Sequence, residues 1–457
     1  MPPEQRKKKV AVIGAGAAGM SCAATLAKHP DKFDVIVFET AEHVGGQATS
    51  IDLDPSRYGA SWLNDGVQGG SAIFRYTFNF FRQYRHEPQE VKLQVSFGKG
   101  KGGFWTNVFP SPLVDNHSAE IKKLGKVLKW IKYTLFVTGV MPVKVILRLF
   151  RFSFDFRNKM VLPLLALFLG TGNQTPNVPS ALLERLFDDP NMRLWDYDPD
   201  TLLPNLPSMY TFPNLGNFYR DWTDDLCSKG VKIKIPCEVE IVERDVTHSD
   251  SKHFHNIFEN RFREDLCAKA TSKERKDQIL FATSEPQRRK DGWIGFQPMY
   301  YTHSYATHPD KIEMGFDCTN YQYQFRENLE DGSSPPERDR HMFQTIFLND
   351  VEKDLWTIDS IDEDKVICRK WWCQWGHRWQ HYLRVVPGLM FINGKNHTLF
   401  GGSWTLVNMH EVACVSGIAA AYRLGATYEA FDEFAEEFFA KYLLLTHGVR
   451  YKPSGRE

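Results

Sequence analysis

Apolar and polar positions along this chain first resolve into a short buried strand. Residues 10–13, Val-Ala-Val-Ile, form an unbroken apolar run between the basic Arg6-Lys7-Lys8-Lys9 and a glycine-rich turn. A run of that length bounded by a turn reads as a fully buried strand. A helix is predicted over 23–28, and a second apolar strand over 35–38 that ends at Glu39. Ile73, Phe74, Phe78 and Phe81 predict a helix within 69–84, and residues 91–97 read as a strand. The glycine cluster 98–103 runs into strand-like Phe104-Trp105, so it predicts a hairpin rather than a phosphate loop. From 119 the period changes. Ile121, Leu124, Val127, Leu128, Ile131 and Leu135 recur at helical spacing, with lysines at 122, 123, 126, 129 and 132 between them. A second apolar stretch, 143–156, carries Lys144, Arg148 and Arg151. Residues 342–348 and 398–400 read as strands, 411–424 as a helix of small residues, and 434–445 as a terminal helix.

Composition narrows the class. A chain of 457 residues can hold two domains that share an interface. Basic and acidic residues balance at 56 each, which gives no global charge for nucleic acid. Aromatic residues make up 14%, a content that suits an apolar substrate cavity as well as a large core. The eight cysteines show no metal-binding spacing, so no metal is expected, and the setting is read as intracellular and cytoplasmic. The basic N-terminus before residues 10–27 resembles a signal peptide, but the same apolar residues belong to the glycine motif, so cleavage is rejected. No transmembrane helix is expected: 161–169 is too short and 133–150 is broken by Pro142, Lys144 and Arg148.

The candidate chemistry begins at Gly14-x-Gly16-x-x-Gly19, directly after the first strand. Gly14 permits the turn, Gly16 the approach of a pyrophosphate, and Gly19 close packing of helix on strand. The phosphates would lie over the amides of Ala17 and Ala18, where the helix dipole favours negative charge. Glu39 stands 20 residues beyond Gly19, where a carboxylate can accept from a ribose diol.

His43-Val44-Gly45-Gly46-Gln47-Ala48-Thr49 follows directly and resembles the second glycine pair of the flavin-containing amine oxidase superfamily. In that family the pattern is Gly-Gly-Arg-x-x-Thr, so Gln47 removes a positive charge near the phosphates. Gly401-Gly402-Ser403-Trp404, followed by Glu411 and Val412, resembles the family's closing segment, with valine where glycine is usual. The resemblance is to a fungal-type FAD-dependent oxidoreductase of that superfamily. It covers roughly the first 65 and last 70 residues well, and the strand near Val239 moderately. It implies an α/β fold: a Rossmann-like FAD-binding domain with an inserted α+β substrate domain carrying a helical cap. The implied FAD-binding residues are Gly14, Gly16, Ala17, Ala18, Gly19, Glu39, Thr40, Gly45, Gly46, Gln47, Val239, Gly402, Glu411 and Val412. Cys237 is an alternative to Val239 against the adenine. The expected organisation is a first nucleotide part at 5–70, a substrate and cap region at 71–225, a second nucleotide part at 226–290, substrate strands at 291–385 and a third nucleotide part at 386–446. Asp277–Thr283 looks like the family strand that follows Val239, or else it is substrate-domain sequence.

No residue set identifies the reaction. His377, His381, His410 and Cys373 are candidates for proton transfer or, for Cys373, a flavin link, and each also fits a structural role. The lysine that many amine oxidases hold near the flavin has no match. The resemblance implies an oxidoreductase that passes hydride from an apolar organic substrate to the flavin. Two alternatives stand: redox-neutral double-bond isomerisation of an unsaturated fatty acid, and a non-catalytic binding protein. For the basic helices of 121–160 two placements fit, a cap over the substrate site with solvated lysines, which is the simpler, or peripheral contact with a membrane.

Overall fold

The computed structural model describes residues 6–100, 102–170, 172–240, 242, 254–258, 271–283, 296–305, 307–325 and 341–453. Its centre is a parallel five-stranded sheet. Taken in chain order, the strands are Lys8–Ile13, Phe33–Phe38, Lys232–Lys234, Phe254–Phe258 and Thr398–Phe400. In space they run 3-2-1-4-5. That is the order of a Rossmann-like sheet, which puts its ligand crevice beyond the carboxyl ends of the strands where the order reverses. Val10, Val12, Val35 and Val37 lie in register and bury one face of these two strands, while Ala11, Ile13, Ile36 and Phe38 on the other face are half-buried.

The first helix spans Ala17–Ala27 and begins six residues earlier than the predicted Ala23. Glycine and alanine give no apolar period there, but ten of its eleven residues are buried. The small-residue helix His410–Leu424 lies against it. A Cβ on Gly417 would stand 2.0 Å from the Ala18 carbonyl oxygen, so glycine sets how closely these two helices approach.

The inserted unit is a mixed seven-stranded sheet with helices above it. Its order is Val366–His377, Thr271–Thr283, His341–Asn349, Ile312–Asp317, Tyr300–Ser304, Val95–Phe97 and Trp105–Thr106. The 98–103 glycine cluster makes the turn of an antiparallel pair, as expected. Residues 277–283 lie in this sheet, antiparallel to its neighbours, which is the substrate-domain alternative of the two readings. Two predictions change. The strand predicted over 91–97 is two strands, Gln89–Lys92 and Val95–Phe97, in different sheets. Asn107 forces the break: it accepts from the Val95 amide at 3.0 Å and donates to the Leu93 carbonyl at 2.9 Å. The helix expected over 69–84 covers only Arg75–Gln83, because Gly69–Gly70 pairs as a strand with Ser208–Thr211.

The cap consists of Ser118–Tyr133, Leu135–Thr138, Val143–Leu149, Leu162–Leu169 and Ser180–Asp188. Ile121, Leu124, Val127, Leu128 and Ile131 form the buried stripe of the first of these. Among the described residues no helix is long and apolar enough to cross a membrane.

Candidate dinucleotide and substrate site

Gly14 leaves the first strand with φ +96° and donates its amide to the Phe38 carbonyl at 2.7 Å, tying the turn to the second strand. The first internal bond of the glycine helix runs from the Met20 amide to Gly16 at 3.0 Å. The amides of Ala17, Ala18 and Gly19 therefore precede it, at the positive end of the helix dipole. A Cβ on Gly19 would lie 1.9 Å from the Gly14 carbonyl oxygen, so only glycine closes this turn.

Glu39 ends the second strand. Its carboxylate accepts from the amides of Ala15 at 2.7 Å and Ala41 at 2.9 Å, and the Cys237 amide donates to its carbonyl at 2.6 Å. One acidic residue thus joins the glycine turn, its own loop and the returning 235–240 segment. The second glycine pair docks on the first. Gly45 donates to Ala15 at 2.9 Å, and a Cβ on Gly46 would touch the Gly16 Cα at 3.4 Å.

These loops open into a cavity of about 780 Å³. Gly14, Gly16, Ala17, Glu39, Thr40, Gly45, Gly46 and Gln47 line one end. Both Cys237 and Val239 line it too, so the structure places both candidates for the adenine side on the wall. Ser403, Trp404, Met409, His410 and Ala413 bring in the start of the C-terminal helix. Apolar side chains line the rest: Leu167, Phe168 and Leu186 from cap helices, Trp195 from the loop after them, Leu93 and Met209 from the small three-stranded sheet and its flank, and Met314, Phe316 and Ile346 from the large sheet. Trp372 and Trp375 of the large sheet line it as well. The aromatic tract signalled these two; nothing local signalled Leu186, Trp195 or Met209, which only the fold brings together.

Several sequence candidates sit elsewhere. Ala18, Gly19, Gly402, Glu411 and Val412 do not line the cavity. The Gly402 amide donates to the Ser416 hydroxyl at 2.7 Å. Glu411 turns away and caps the Arg75–Gln83 helix, accepting from the amides of Tyr76 at 2.8 Å and Thr77 at 2.9 Å. Burial raises its carboxyl to about 7. Val412 precedes the first internal bond of its helix, Ala413 amide to Met409 at 3.1 Å, and its side chain is buried.

Of the histidines, His410 reaches the cavity. Both of its ring nitrogens are engaged, Nδ1 with the Thr77 hydroxyl at 3.0 Å and Nε2 with the Tyr219 hydroxyl at 2.7 Å. Burial lowers it to about 4, so it is neutral at physiological pH. His377 and His381 lie outside the cavity lining, stacked at 4.5 Å and 12°. Burial pushes both below the ordinary histidine range. The Cys373 side chain lies outside the described residues.

The residues present fit a dinucleotide. Positions where a side chain would collide with backbone are glycine, three helix amides face the turn, and a carboxylate closes the strand beside it. Comparison with known proteins agrees with the fold. Residues 12–83 match the family model of the NAD(P)-binding Rossmann-like domain. Over 62 residues the chain is 39% identical to an NADH oxidase of Thermoanaerobacter brockii. That stretch is 14% of this chain and only 9% of that enzyme. Among solved structures, putrescine oxidase bound to putrescine shares 14% identity and a TM-score of 0.58, covering 92% of this chain and 100% of its own. A fatty acid isomerase from P. acnes shares 12% identity and a TM-score of 0.60, covering 92% and 99%. At these identities the likeness is one of fold: a Rossmann-like domain with mixed α/β structure inserted.

Proposed function

We propose that this chain is an FAD-dependent oxidoreductase of the flavin-containing amine oxidase type, acting on an apolar organic substrate. The observation that carries the reading is the single cavity that joins the glycine loops to a pocket walled by Leu93, Leu167, Phe168, Leu186, Trp195 and Met209. When bound, FAD would supply the hydride acceptor, and the protein supplies binding, orientation and electrostatics. The backbone of Gly14, Gly16 and Ala17, which lines the cavity at the start of the helix, would hold the pyrophosphate, and Glu39 the ribose beside it. The start of the His410–Leu424 helix meets the cavity through Met409, His410 and Ala413, and its dipole favours negative charge there. Trp372 and Trp375 add aromatic surface to the cavity lining against which an apolar substrate can pack. His410, neutral and held at both nitrogens, acts as a fixed polar wall in this reading.

The apolar walls and the fold shared with a fatty acid isomerase favour a second reading, redox-neutral double-bond isomerisation. One experiment separates them. The purified protein is expected to be yellow and to release FAD on denaturation. Anaerobic addition of long-chain apolar compounds is expected to bleach the flavin if they are oxidised, and to convert them without net bleaching if they are isomerised. A colourless protein that FAD cannot reconstitute overturns the cofactor. A flavin spectrum that responds only to small polar amines overturns the substrate class.

A further inference from the structure

We propose that the outer face of the helical cap docks on bilayers that carry anionic lipid. Seven of the sixteen exposed large apolar side chains among the described residues fall between 130 and 154. Trp130, Tyr133, Phe136, Val137, Leu149 and Phe154 are the largest contributors, with Phe136 97% and Tyr133 85% exposed. They belong to one place in the fold. The Ser118–Tyr133 helix runs into the short helix Leu135–Thr138, and Trp130 packs on Phe150, just past the end of Val143–Leu149, at 4.9 Å. On Val143–Leu149 the exposed pair Val145 and Leu149 lies one residue along from the exposed pair Lys144 and Arg148, so apolar and basic stripes run side by side.

Charge selects the occupant. Residues 121–160 hold ten Lys or Arg and one Asp. Lys122, Lys132 and Lys159 pair with Asp200, Asp188 and Asp155. Lys126, Lys129, Lys144, Arg148 and Arg151 are exposed and have no carboxylate within ion-pair distance among the described residues. A second copy of this face would bring like charges together, which opposes self-association. Exposed aromatic and aliphatic side chains ringed by unpaired cations match the interface of an anionic bilayer, where rings sit at headgroup level and cations meet lipid phosphates and carboxylates. Inward, the same Ser118–Tyr133 helix packs on Ser180–Asp188, whose Leu186 lines the cavity. The docking face and the apolar pocket are thus two sides of one thin cap. The docking proposal stands whether or not the cofactor reading does.

Cosedimentation of the full chain with phosphatidylcholine vesicles, with and without phosphatidylserine, tests it. The wild type is expected to sediment with the anionic vesicles only, and added salt to release it. Lys126→Ala and Arg148→Ala should each lower the partition coefficient about fivefold. Phe136→Asp with Val137→Asp should abolish binding while the thermal midpoint stays that of wild type, since both side chains are already in water. Sedimentation with neither vesicle, or equally with both, overturns the proposal. So does a wild-type dimer that the Phe136→Asp change dissociates.

Discussion

Glu39 bridges two backbone amides on different loops, so its side chain organises the turn as well as facing the cavity. Glu39→Ala is expected to weaken FAD binding by roughly 1.5–3 kcal/mol, the range for hydrogen bonds to a charged acceptor. Fluorescence titration of the apoprotein measures it, and unchanged affinity removes Glu39 from this role. Glu411 gives a pH prediction. Its carboxyl stands at about 7 in the fold, because burial outweighs the two amides it accepts. The folded state therefore binds the proton more tightly than the unfolded chain. This contribution to stability is complete below the ordinary carboxylate range and is lost as pH rises toward and through 7, by roughly 3 kcal/mol at most. His410 beside it has the opposite sign: lowered to about 4, it stabilises above its ordinary range and that share is lost as pH falls through 4. Denaturant titrations of wild type and Glu411→Gln between pH 5 and 8 should diverge, the variant gaining stability relative to wild type as pH rises toward 7. Parallel curves would show that Glu411 does not titrate in this window.

The decisive element contact is the crossing of the two helices that flank the nucleotide sheet. Gly417 faces the Ala18 carbonyl oxygen and the Cys22 amide, and a Cβ there would lie 2.0 and 2.9 Å from them. Gly417→Val must push the helices apart and shift the amides at residues 17–19. A loss of about 1–3 kcal/mol is expected, together with loss of bound flavin. Gly388, inside the helix Val386–Ile392, has open space where a Cβ would go. Gly388→Ala should stabilise by about 0.5–1 kcal/mol. Differential scanning calorimetry of the two variants reads both signs, and a Gly417→Val protein as stable as wild type would refute the packing argument. The elements themselves were unequally legible. The hairpin at 98–103 and the terminal helix Glu433–His447 follow from local pattern. The early start of the Ala17–Ala27 helix does not, because alanine and glycine carry no apolar period. Residues 69–70 were read as helix, yet the backbone of Gly69 and Gly70 sits so close to Tyr210, Tyr321 and Phe74 that no side chain fits.

At the scale of the molecule the cavity is the property that matters. Leu186, on the cap helix Ser180–Asp188, and Trp195, in the loop after it, line the cavity although both are far from the glycine loops in sequence. Leu186→Arg is expected to abolish binding of apolar ligands while FAD content stays that of wild type, since Leu186 belongs to the cap and not to the nucleotide loops. Equal ligand affinity in the variant would detach the cap from substrate binding. The sequence by itself determined the strand, glycine turn, helix and acidic strand end at residues 8–39, because a dinucleotide turn is a local structure whose demands fall on neighbouring residues. It also showed a basic amphipathic helix from 119 onward. Tertiary structure alone decided which sheet takes 271–283, that Glu411 caps another helix, and that His377 is packed away from the cavity. It also decided that both Cys237 and Val239 reach the wall and that Tyr133 and Phe136 are left in water. Those outcomes depend on which surfaces compete for burial across hundreds of residues, and a local pattern states only that a side chain is apolar or charged, not what will cover it.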